Sequence, residues 1–431
     1  MTTARRLAVI GAGWAGLAAA VEATSRGAQV TLFEMAHAAG GRARSTGGAA
    51  MRQGQTPRDN GQHILIGAYT ETLALMRRVG ADPAQLLWRG PLALTTPDGH
   101  GLQLPAGPPV PAFMRGVLAA RGWRLRDRLA LLRVATGWLL RGFRCDAHAT
   151  VADLCGSLPP SVQRDLIDPL CVAALNTPMA QASGTVFLRV MRDALFAGRG
   201  SADLLLPRAP LSDLLPTPAL AWLAAHGAAL RLGHRVQMLA PRAGGWQVDG
   251  EAFDAVVLAC PAGEAARLSA EVAPAWSASA AAMRHEPIVT AWLHDPALRL
   301  PRPMLALAAE AEQPAQFVFD LGALGLAAGE FAFVVSGAAP WVERGLPATG
   351  TAVLRQARQA FPGAFNGADD LVLTALAAER RATFACTPNL QRPSATIAPG
   401  LMAAADHVQG PYPATLEGAV RAGLWAARQL C

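Results

Sequence analysis

The strongest constraint in this chain is a glycine-rich turn set between an apolar run and a run of small residues. It reads Leu7-Ala8-Val9-Ile10-Gly11-Ala12-Gly13-Trp14-Ala15-Gly16-Leu17-Ala18-Ala19-Ala20-Val21. Leu7 to Ile10 predict a short strand of the buried parallel type, apolar on both faces. Gly11 permits a tight turn, Gly13 lets a charged group approach the backbone, and Gly16 lets the next helix pack closely on the strand. That helix opens with Trp14 and Ala15, and its N terminus offers unpaired N–H groups and the positive end of a dipole. Val30 to Phe33 predict a second strand ending at Glu34. A carboxylate there suits a ribose diol and repels a 2′-phosphate, so the unit reads as a dinucleotide site unsuited to NADP.

Arg5-Arg6 before the uncharged run Leu7–Val21 has the look of a secretory signal. The glycine spacing and the helical continuation assign it to folded protein instead. Charges or prolines interrupt every later apolar stretch, so no membrane-crossing helix is expected.

A second glycine loop separates the candidate cofactors. Ala39-Gly40-Gly41-Arg42-Ala43-Arg44-Ser45 resembles the extension found in glutathione-reductase-like flavoproteins, which makes FAD the expected cofactor. Gly40 and Gly41 allow a second backbone approach to the phosphates, and Arg42 adds cationic charge near them.

Three further segments resemble the amine oxidase and phytoene desaturase superfamily. In LMAAADHVQGPYPATLEGAVRAG, Asp406 matches the acid facing the ribityl and phosphate region. Thr415 and Leu416 match the start of the last helix, whose N terminus faces the flavin. Residues 227–236 match the strand that passes the adenine, with Val236 as the backbone contact. In DNGQHILIGAY, Gly61, Gln62 and His63 match the turn beside the isoalloxazine ring. The resemblance implies an α/β fold: a Rossmann-like FAD domain and a mixed α+β substrate domain with a helical cap. The expected division is 1–75, 216–265 and 391–431 for FAD, with 76–215 and 266–390 for substrate.

Within that superfamily an amine substrate is disfavoured. The chain has no lysine to hold a water at the flavin, and Thr415 stands where amine oxidases place an aromatic cage residue. Over nearly its whole length the sequence is similar to the hydroxysqualene dehydroxylases, in DNGQHILIGAYTETLALMRRVG, DPLCVAALNTP, ADLLLPRAPLSDLLPTPA and HEPIVTAWL. That similarity implies reductive removal of an allylic hydroxyl from a C30 isoprenoid, in bacterial hopanoid precursor synthesis, with prenyl-condensing enzymes as pathway partners. Ala38-Ala39 depart from the charged residues many relatives carry there. Two other readings stay open: an oxidative polyene desaturase, and a flavin-fold scaffold without chemistry.

Such a reaction needs a general acid, because hydroxide leaves poorly, and an apolar pocket to shelter the allylic cation. His63 is the first candidate acid, with Asp59, His285 and Glu286 beside it. Each is equally read as an ordinary turn or surface residue.

Composition bounds the rest. At 431 residues the chain suits two domains, and 52% hydrophobic against 16% charged residues excludes disorder. The net charge of +7 is carried by arginine alone, which suits nucleic acid, anionic lipid or an anionic substrate, or merely reflects GC-rich coding. No nucleic-acid module is present. The cysteines are scattered without a C-x-x-C pair, so no metal site is expected and a reduced, cytoplasmic setting is the simplest. Between residues 111 and 144, Arg115, Arg121, Arg124, Arg126, Arg128, Arg133, Arg141 and Arg144 alternate with tryptophan and leucine. This stretch reads either as a peripheral membrane surface or as cap helices packed over the substrate domain.

Overall fold

The computed structural model describes residues 4–46, 58–362 and 371–431. Strand β1 (Arg6–Ile10), helix α1 (Trp14–Ser25) and strand β2 (Gln29–Glu34) follow the predicted order. They seed a six-stranded sheet in the order Ala229–Leu232, β2, β1, Ala255–Leu258, Leu401–Ala403, Thr396–Ala398. The first five strands run parallel. Because side chains alternate across a strand, Leu7 and Val9 enter one apolar cluster while Ala8 and Ile10 enter another on the opposite face. Both faces are covered, as a parallel sheet requires.

Helix α1 is buried from Trp14 to Ala23, so its small residues have a use. The last helix, Leu416–Leu430, crosses it so closely that a Cβ on Gly423 would stand 2.1 Å from the Ala15 carbonyl oxygen. Glu22 fastens this layer by accepting from Arg26, Arg78 and Arg428 at 2.7–3.1 Å. Burial alone would raise its pKa, but the three guanidinium groups bring it down to about 2.

A second sheet is antiparallel, ordered Met304–Ala306, Phe317–Asp320, Glu330–Val335, His285–His294, Val372–Phe384. Its outer face buries Val318, Phe331 and Phe333. Phe317, Phe319 and Trp292 enter a large apolar cluster on the other face. Cap helices close that cluster with Phe113, Trp138, Phe187 and Met191.

The stretch 227–236 differs from expectation. Its strand ends at Leu232, and Val236 lies beyond it in irregular chain, buried against Phe33 and Trp246 of the sheet's other cluster. Gly233, with φ +71°, turns the backbone off the sheet edge.

Gly423→Ala tests the helix crossing. The added methyl meets backbone, which cannot yield as a side-chain tip can, so overpacking should approach about 3 kcal/mol. That outweighs the helix-propensity gain of about 1 kcal/mol. Urea denaturation should show a lower midpoint with an unchanged slope.

Candidate cofactor and active site

The first element of the site is a cradle of backbone. Gly11 has φ +107° and its N–H donates to the Phe33 carbonyl at 2.7 Å, tying the turn to β2. A Cβ on Gly16 would lie 1.8 Å from the Gly11 oxygen, so only glycine fits. Gly13 is different: a Cβ there meets nothing nearer than the Gly41 Cα at 3.9 Å, so this position faces space. The second glycine loop lies alongside, with Gly40 N donating to Ala12 O at 2.8 Å and Trp14 Nε1 donating to Ala43 O at 2.9 Å. Gly40 and Gly41 both hold positive φ. The N terminus of α1 carries no side-chain cap and no acid in its first turn. Unpaired helix N–H groups beside two glycine loops suit a pyrophosphate.

Glu34 does more than the motif implies. It is buried, and its two oxygens accept from Ala12 N at 2.7 Å and Ala36 N at 2.8 Å. The carboxylate thus holds the glycine loop in shape while keeping lone pairs for a ribose.

The second element joins residues 364 apart. Arg42 Nη2 donates to Asp406 Oδ1 at 2.6 Å, and Nη1 donates to the Ala382 carbonyl at 2.7 Å. Arg42 was expected to serve as a cation for phosphate; here a carboxylate and backbone oxygens engage its guanidinium. Burial would push the Asp406 carboxyl up, but Arg42, His407 and Arg392 outweigh it and hold it below the usual carboxylate range. Burial likewise opposes the charge on Arg42, and Asp406 more than restores it. Arg392 secures the same loop by donating to the carbonyls of Asp406, Gly410 and Tyr412 at 2.6–2.9 Å. No motif marked Arg392, because its partners are backbone oxygens of a distant loop.

The third element is the Asp59–His63 turn. Asn60 Nδ2 donates to the Arg42 carbonyl and to Glu379 Oε2, both at 3.1 Å. Gly61 takes φ +83° and lies against Thr290 of the antiparallel sheet, whose hydroxyl would be 3.8 Å from a Cβ there. The turn therefore sits where the two sheets meet. Near this turn the buried Gln62 Nε2 and His407 Nε2 have no hydrogen-bond partner among the described residues. An unpaired buried polar atom is costly, and the oxygens and ring nitrogens of a flavin would satisfy both. The residues present therefore fit FAD. Thr415 caps the last helix through Oγ1 to Gly418 N at 3.0 Å, with Leu416 as its first helical residue. Glu417, unmarked in the sequence, locks that helix by accepting from Glu71 N, Thr72 N and Thr72 Oγ1 at 2.7–3.1 Å.

The candidate acids separate by environment. Burial lowers the His63 pKa, its Nδ1 contacts the Gly61 carbonyl at 3.2 Å, and nearby Arg42 lowers it further. Both effects favour the neutral imidazole. Burial similarly lowers His285, again with Arg42 beside it. Burial raises Asp59 and Glu286. Asp59 Oδ1 is already engaged by Ser45 Oγ at 2.7 Å and Leu211 N at 3.0 Å. Glu286 lies on the strand that carries Thr290. Among the described residues no cluster of metal-ligating side chains occurs.

Known proteins resemble this arrangement. The family model for flavin containing amine oxidoreductases matches residues 14–293. A hydroxysqualene dehydroxylase from Sinorhizobium fredii is 28% identical over 97% of this chain and 96% of its own length. One from Rhodopseudomonas palustris is 31% identical over 60% of this chain, and the match spans 62% of that protein. The crystal structure of an oxidoreductase from Methanosarcina mazei superposes with TM-score 0.74 at 15% identity, covering 98% of this chain and all of that one.

Two predictions follow from the charge cluster. Arg42→Met strands a buried carboxylate, at a cost of about 3–5 kcal/mol, and the purified variant should lose its 450 nm flavin absorbance relative to protein. The second concerns acid. His407, buried and lowered to about 4, binds its proton more tightly unfolded, so stability falls as pH drops from about 6.5. Across that window the loss should reach about 3 kcal/mol, and His407→Phe should flatten it in pH-dependent thermal melts. Asp406 adds its own loss only lower, as pH falls below its ordinary range near 4 and through its depressed folded-state value.

Proposed function

This chain belongs to the flavin-containing amine oxidoreductase family and is an FAD-dependent oxidoreductase, and from that premise we propose that it reductively removes the hydroxyl of hydroxysqualene to give squalene. The observation that carries the reading is the match to a hydroxysqualene dehydroxylase through 97% of the chain, rather than through the cofactor motifs alone. Two features of the molecule support it. The chain has no lysine with which to hold a water at the flavin, and the face of the antiparallel sheet nearest the Asp59–His63 turn is walled by phenylalanine, tryptophan and leucine.

Gly11, Gly13 and Gly16 with the N terminus of α1 would hold the pyrophosphate. Glu34 would hold the adenine ribose, and Gly40 and Gly41 the second side of the phosphates. Asp406 would orient the ribityl chain, and Gln62, His63 and the Thr415–Leu416 helix start would border the flavin ring. Reduced FAD supplies a hydride. A protein acid would protonate the allylic hydroxyl so that it leaves as water, the hydride that replaces it being what reduced FAD would supply, so charge and atoms balance. An apolar wall of this kind would exclude competing water. Glu286 is the acid put forward: it lies on the strand that carries Thr290 and Trp292, and burial raises its pKa, which favours the protonated form a donor needs.

Anaerobic mixing of photoreduced holoenzyme with hydroxysqualene should yield squalene and reoxidise the flavin. Glu286→Gln should slow that step by about 100-fold or more with flavin content intact, whereas His63→Asn should act mainly on flavin binding. If no squalene forms and oxidised enzyme instead introduces double bonds into a polyene, the chain is an oxidative desaturase. A protein that stays colourless with added FAD would mark a scaffold.

A further inference from the structure

The arginine-rich stretch folds into two helices, Pro109–Ala119 and Leu125–Leu140, whose faces differ in kind. Their inner face belongs to the substrate side: Phe113, Leu131, Ala135 and Trp138 are buried in the apolar cluster and line a cavity of about 20 Å³. Their outer face is also apolar, yet no described residue covers it. Met114 is 47% exposed, Leu125 62% and Leu140 82%, with Leu118 and Leu129 exposed beside them. Arg128 Nη1 donates to the Leu118 carbonyl at 2.6 Å, which ties the end of the first helix to the second and joins these side chains into one surface.

Exposed Arg115, Arg126 and Arg133 stand among those leucines. The stretch holds one acid, Asp127, and it is buried, accepting from Arg124 N and Ser161 Oγ. The outer face therefore carries cations and grease but no exposed carboxylate. Such a surface suits neither plain water nor a neutral partner. Its charge is complementary to lipid phosphates, and arginine stems can lie along apolar surface while their heads meet those phosphates.

We propose that this helical pair docks on an anionic lipid bilayer, with the exposed leucines and Met114 entering the interfacial layer and the arginines meeting headgroup phosphates. No helix among the described residues is long and apolar enough to cross a membrane, and the docking proposed is to the surface. Docking sets the helices that line the apolar cavity directly on the hydrocarbon boundary. The inference goes beyond the proposed reaction and does not depend on it.

Flotation of FAD-loaded protein tests it with no substrate present. Protein should float with vesicles of phosphatidylglycerol and phosphatidylcholine, and poorly with phosphatidylcholine alone. Leu125→Asp with Leu129→Asp should weaken binding on the order of 100-fold, and Arg126→Ser with Arg133→Ser by roughly fivefold per arginine. Flavin absorbance should be unchanged in both. Failure of the native chain to float, equal flotation of either variant, or a dimer that the aspartates split without any vesicle binding would each overturn the proposal.

Discussion

The contact on which the rest depends is the one between Arg42 and Asp406. Asp406 is buried, where its charge alone would be expensive, and the half-exposed Arg42 neutralises it. The pair fixes the second glycine loop against the loop before the last helix. Arg392 then holds that loop by its carbonyls, and Thr415 starts the helix at a defined place. Removing the pair would leave the first glycine turn intact but detach the far wall of the cradle.

Around that contact the molecule divides its labour. The parallel sheet presents backbone and charge. The antiparallel sheet presents aromatic and aliphatic side chains, sorted by strand alternation onto two faces. The Asp59–His63 turn lies at the join, with Asn60 reaching to Arg42 and to Glu379 on the antiparallel sheet, and Gly61 against Thr290 of that sheet. A ring held there would have polar partners along one edge and hydrocarbon at the other.

Much of this was legible because its physics is local. The glycines of the first turn announce a sharp bend and a close helix through spacing alone, and the unbroken apolar run of β1 announces burial on both faces. Asp406 and Thr415 were found only through family resemblance, since an isolated aspartate or threonine carries no such signal. Glu417 and Arg392 escaped because the groups they fasten are backbone atoms or lie far away in the chain, and for Glu22 only the i,i+4 pair with Arg26 is local, while Arg78 and Arg428 are distant. The strand near Val236 was drawn too long, as Gly233 turns the chain after Leu232. His63 is read as an acid from its position, while its burial and the neighbouring guanidinium lower its pKa.

The separation of Arg42 from Asp406 has a consequence for how the protein is made. A ribosome adding residues at about 5–20 per second needs roughly 20 to 70 seconds between the two. Through that interval the strand–helix–strand unit is available while the guanidinium awaits its counter-ion, so the cradle stays open on one side. Capture of the cofactor is therefore a late event in the life of the nascent chain, and the final helix acts as the clasp that closes over it.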